Sequence, residues 1–225
     1  MTTTTSKAAS TADPAGSPGT GPADIAWMRA LAQEGATEPL QGGAILLAAG
    51  LTFGTASVLH WLTMTGLAPW PMAAVNVIWP AITLVFVVFA TIEGYRARGK
   101  AGVRTAANRA SATVWTSVGI GIFTLFLSMM LIGLRQGGEA GRMALWLVPS
   151  IIMVFYGLGW AVSATMMRSA LLWRLSVASF VAAPGLAAFT GSPWQYLLYA
   201  ACLFGLMALP GWLLMKKARV APGVA

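Results

Sequence analysis

The sequence predicts an all-α, polytopic membrane protein: a bundle of six transmembrane helices, N-in and C-in, with a short interfacial helix before the first span. Three observations lead there. Hydrophobic residues make up 57% of the chain and charged residues only 9%, against about 25% charged in a soluble domain. A surface of that composition needs lipid as part of its solvent. Six apolar stretches are each close to the roughly 20 residues that cross a bilayer. Finally, the basic residues alternate along the chain as the positive-inside rule requires.

Residues 1–23 are rich in Thr, Ser, Ala, Gly and Pro and hold almost nothing large and apolar. Such a segment cannot offset the entropy of ordering it, so a disordered polar tail is expected. It lacks the basic start and apolar core of a secretory signal. Residues 24–43 read as an amphipathic interfacial helix and linker. Asp24 stands at its N-cap, Gly35 ends it, and Ile25, Met28, Leu31 and Ala32 share one face. A helix packed on cytoplasmic loops fits the same pattern.

The six-helix membrane domain occupies residues 44–215, with spans expected at 44–67, 70–94, 112–134, 143–166, 171–189 and 196–215. Ala68-Pro69 reads as a tight connection, making the first two spans an antiparallel hairpin. The fifth stretch is the shortest and contains Pro184-Gly185. A basic C-terminal tail, 216–225, closes the chain.

With the N-terminus inside, twelve Lys and Arg residues fall on the inner side, and only Arg135 and Arg142 fall outside. An odd number of spans would spoil that alternation. Trp61, Trp70, Trp146 and Trp194 then lie near the outer boundary and Trp115, Trp173 and Trp212 near the inner one, as two aromatic belts. Trp79 and Trp160 lie deeper and need partners for their indole N–H groups.

Ionisable and polar residues inside hydrocarbon are the first place to seek function. His60, the only histidine, stands late in the first span and reads as an interfacial residue replaceable without consequence; proton handling or single metal or haem ligation is the sharper alternative. Glu93 ends the second span beside Arg96 and Arg98, with pairing to them the simpler expectation and a coupling-ion site the other. Asn76 precedes Trp79 and Pro80 and either bonds between helices or lines a polar cavity with them. Pro80, Pro149, Pro184 and Pro210 interrupt four of the stretches and tend to kink them. Gly50-xxx-Gly54 and Gly157-xxx-Ala161 mark close helix packing within the bundle, with dimerisation the second reading.

Arg96, Arg98, Lys100, Arg104 and Arg109 concentrate charge in the connection 95–111. Contact with anionic headgroups is the first expectation, and docking of a cytoplasmic protein partner the second. No interleaved aromatics point to nucleic acid. Cys202 is the single cysteine, so no intramolecular disulfide and no zinc cluster is expected. The chain has no metalloprotease, nucleophile-elbow, Walker or dinucleotide motif, so no catalytic, cofactor-binding or metal-binding residue is assigned and no cofactor is expected.

Met28-Arg29-Ala30-Leu31-Ala32-Gln33-Glu34-Gly35, followed by Pro39-Leu40-Gln41-Gly42-Gly43 and a span, resembles the start of some uncharacterised small bacterial inner-membrane proteins. The resemblance covers the N-terminal quarter. It implies a bacterial inner membrane and brings no activity or site residue. Two functions follow as expectations: a non-enzymatic regulatory or scaffold subunit acting from the cytoplasmic face, or a small transporter or channel with a cavity lined by kinked helices.

Overall fold

A computed structural model describes residues 25–26, 42–99, 106–136 and 138–220. The expected tail and almost all of the interfacial helix lie outside the described residues, as do Lys100 and Arg104. The described residues are helical with short connections and contain no strand.

The helices are α1 (Gly43–Met64), α2 (Val75–Gly99), α3 (Ala106–Gln136), α4 (Gly138–Met167), α5 (Ala170–Ala188), α6 (Trp194–Leu203) and α7 (Leu209–Val220). A 3-10 turn, Met72–Ala74, leads into α2, and a π turn, Phe204–Ala208, joins α6 to α7. Six helical segments are long and apolar enough to cross a membrane: Gly43–Met64, Met72–Arg96, Ala106–Gln136, Met143–Met167, Ala170–Ala188 and Trp194–Lys217. These are the six expected stretches. The third is extended at its start, because helix begins at Ala106 and buries Asn108 and Ser111.

The first connection is looser than a two-residue turn. Helix α1 stops at Met64, and Gly66 takes a left-handed conformation (φ 69°) while its N–H bonds to the Thr63 carbonyl. Three prolines, Pro80, Pro149 and Pro184, lie inside helices that continue past them. Pro210 follows the π turn. Its missing N–H leaves the Leu206 carbonyl without its usual donor, and a local change of helical pitch is a common way to absorb that loss.

The packing order is α2, α1, α6 with α7, α5, α4, α3, each helix resting on its neighbours in that series. Core side chains converge from the inner members, and Met153, Trp160, Leu186 and Leu203 are fully buried. The two end helices differ sharply from the rest. None of the apolar window of the second span and 6% of that of the third is buried, against 50% in the fourth. On α3 the inward residues Ser111, Trp115, Val118, Ile122, Leu125 and Met129 are spaced alternately four and three apart. That is the seam of a helix touching one neighbour, here α4.

Small residues set the closest crossings. A Cβ on Gly50 would overlap the backbone nitrogen of Ala208 and lie 2.7 Å from its Cα. One on Gly211 would overlap the Leu47 nitrogen and stand 2.7 Å from the Gly43 carbonyl oxygen. Gly54 receives the Phe204 ring and Gly157 the Phe180 ring. The Gly50–Gly54 pair therefore works within the chain, letting α1 meet the π turn closely, while Gly211 lets α7 meet α1 at backbone distance.

Candidate intramembrane polar site

Ser57, His60 and Thr63 fall about one turn apart on one face of α1, and all three are buried. The only histidine is thus inside the bundle, 7% exposed, rather than at its interface. Burial follows from two neighbours that its local sequence does not reveal. The Trp79 indole on α2 donates to His60 Nδ1 at 3.1 Å. The Tyr196 ring on α6 lies against the imidazole, with centroids 3.6 Å apart and planes at 36°. An acceptor role at Nδ1 puts the ring proton on Nε2 and keeps the imidazole neutral. One turn on, Trp70 donates to the Thr63 hydroxyl at 2.7 Å, while that hydroxyl donates to the Leu59 carbonyl. Trp61 and Trp194 lie beside this layer, their rings 6.0 Å apart.

Three further polar ties hold the other half of the bundle. Gln195 is fully buried, and its amide nitrogen donates to the carbonyls of Trp146 (2.8 Å) and Leu186 (3.3 Å), so one side chain links α6 to α4 and α5. Deeper, Trp115 on α3 donates to the Ser163 hydroxyl on α4 at 3.2 Å and meets Trp160 edge-on at 4.8 Å. Gly159 leaves the space for that indole, since a Cβ there would stand 3.3 Å from it. Ser176 on α5 donates to the Gly157 carbonyl on α4 at 2.8 Å. Buried polar atoms need such partners, and here most partners belong to another helix.

Other expected site residues are not brought together. Asn76 is exposed on the first turn of α2. Pro80 is exposed as well, because a helix turns about 100° per residue and Trp79 faces α1. Of Asn76, Trp79 and Pro80, the three residues named for a cavity, only Trp79 faces α1. Glu93 pairs with Arg96 at 3.0 Å, the simpler of its two readings. Arg98 lies in the last turns of α2 and Arg109 is exposed on the first turn of α3. Cys202 is half-buried on α6. Among the described residues no three His, Cys, Asp or Glu side chains gather as a metal site would require.

Sequence reasoning missed Ser57, Gln195, Tyr196, Ser163 and Ser176. The available signal was weak: each is a polar residue in or beside an apolar run, the place where interhelical hydrogen bonds arise. No protein-family model matches the chain, and no significant match was found among curated proteins or solved structures.

Proposed function

We propose that this multi-pass membrane protein is a non-enzymatic scaffold or regulatory subunit of a bacterial inner membrane, with both termini in the cytoplasm. One observation carries this reading. Hydrogen bonds from Trp79, Trp115 and Gln195 tie helices to one another in the interior, while α2 and α3, the ends of the helix series, leave their apolar windows almost wholly uncovered. A chain built this way has a closed middle and broad free flanks, which suits holding other proteins in the bilayer or at its cytoplasmic face. Affinity purification from native membranes tests it. One stoichiometric partner is expected. A chain that purifies alone and drives ligand-dependent flux in proteoliposomes would overturn the proposal.

Transport is the second reading, favoured by Ser57 Oγ, Trp61 Nε1, Ser150 Oγ and Gln195 Oε1. These buried polar atoms have no hydrogen-bond partner among the described residues, and polar atoms of that kind also line solute paths.

Orientation rests on charge. The helix alternation puts Arg96, Arg98, Arg109, Arg168, Arg174, Lys216 and Lys217 at one end of the bundle and Arg135, Glu139 and Arg142 at the other. Reporter fusions after residue 102 and after Arg219 are expected to read cytoplasmic, and a fusion at Gly138 periplasmic. A periplasmic signal at residue 102 would reverse the orientation.

A further inference from the structure

We propose that the α4–α5 turn is a seat for the headgroup of an anionic phospholipid, gripped by Arg168 and Arg174 with Trp173 beside it. This rests on the reading of the chain as a membrane protein, but neither on its scaffold role nor on its orientation.

Uncompensated charge is the first argument. Glu139 is the last Asp or Glu in the sequence, so α5 and α7 carry Arg174, Lys216 and Lys217 with no side-chain carboxylate, and Arg168 stands between α4 and α5. At the same end, the described carboxylate is Glu93, already held by Arg96 on α2. The side chains of Arg168 and Arg174 are exposed and have no hydrogen bond or ion pair among the described residues. A phosphodiester is the counter-ion that a bilayer supplies at this depth, and guanidinium groups match its oxygens in pairs.

The surroundings are those of a membrane interface. Met166, Leu171 and Trp173 are exposed at 45%, 41% and 48% beside the two arginines. On α7 of the same end, Trp212 is 49% exposed with the Lys216 ammonium 5.5 Å from its ring centroid. Apolar and indole surface next to cations that have no carboxylate partner among the described residues fits a molecule with a charged head and an apolar body. A free anion would use only the arginines.

The backbone adds a consistent detail. Arg168 has φ 47°, the one positive value outside glycine among the described residues. Its N–H bonds to Thr165 and that of Ser169 to Ala164, closing α4. Glycine serves that turn with less strain. An arginine there gives up backbone comfort and places a guanidinium two residues before α5.

The test uses the full chain reconstituted in vesicles of equal phosphatidylglycerol and phosphatidylcholine, extracted and weighed by native mass spectrometry. The wild type is expected to retain phosphatidylglycerol preferentially. Arg168→Gly and Arg174→Gln should each cut that preference about fivefold, and together abolish it. Arg168→Gly should also hold or raise the unfolding midpoint, since glycine relieves the left-handed turn; lipid loss then belongs to the side chain. Arg135→Gln, at the opposite end, should leave the preference intact. The proposal is overturned by an unchanged preference in the double variant, by an equal loss in Arg135→Gln, or by release of the lipid with inorganic phosphate at matched ionic strength.

Discussion

Gly50→Leu is expected to break the contact between α1 and the π turn and to lower the unfolding midpoint more than any other single change at a described glycine of α1. A Cβ at that position already overlaps the Ala208 nitrogen. The obstructing atoms are backbone, so no rotamer change can clear them. Overpacking of a core costs about 1–3 kcal/mol when side chains can shift; here about 3 kcal/mol or more is expected. In a chain of this size that corresponds to about 6–12 °C. Gly211→Val, which meets the Leu47 nitrogen and Gly43 oxygen from the facing helix, should act in the same direction. Gly119→Ala is the control, because a Cβ there meets nothing within 4 Å. Alanine in an open helical position is neutral or stabilising by up to about 1 kcal/mol. Thermal unfolding of detergent-solubilised protein, with size-exclusion profiles beside it, checks all three. An unshifted midpoint in Gly50→Leu, accompanied by a change of oligomeric state, would move the glycine pair from internal packing to an interface between copies.

The spans were legible because hydropathy is a local property. Twenty apolar residues in a row are recognisable whatever they later pack against, so the six expected stretches and the six helical spans differ mainly at their ends. The third began earlier than expected because Asn108 and Ser111 look like loop residues and are instead buried on the first turns of α3. What stayed hidden is the choice of face. His60 sits beside Trp61 and close to the end of α1, which reads as interfacial. Its burial depends on Trp79, 19 residues on, and on Tyr196, in another span altogether. Gln195 presents the same difficulty, since its amide reaches a carbonyl 49 residues away. Glu93 was easier because its partner Arg96 is one turn along the same helix. Pairing within a helix follows from spacing, whereas pairing between helices needs the packing order, and no repeat or motif in the sequence announces that order.

His60→Ala therefore carries a different expectation from the one its sequence position gives. The substitution removes a buried ring from its stack on Tyr196 and leaves the Trp79 indole N–H without an acceptor inside the bundle. Losing a buried ring and orphaning a donor together should cost about 3 kcal/mol, or about 6–12 °C in the unfolding midpoint. Helix α2 should feel it most. That helix rests on α1 along a single line, through the Trp79–His60 bond and the Phe86 ring 5.1 Å from Phe53. Trp79→Phe keeps a ring in place but deletes the donor, and should cost about 1 kcal/mol. Polar pairs in membrane proteins couple by about 0.6 kcal/mol on average and up to about 1.7 kcal/mol. The double variant should accordingly fall short of the sum of the two single losses by about 1 kcal/mol. His60→Asn separates the bond from the stack, because its carbonyl oxygen can stand near the Nδ1 position and accept from Trp79 while the aromatic contact is gone. It should lie between wild type and His60→Ala. If His60→Ala unfolds with the wild-type midpoint and the cycle shows no coupling, His60 does not fasten α2. If all the folded variants keep their native partner while only flux or ligand binding disappears, the layer of His60, Trp79 and Tyr196 belongs to a transport path, and the scaffold reading gives way to the second one.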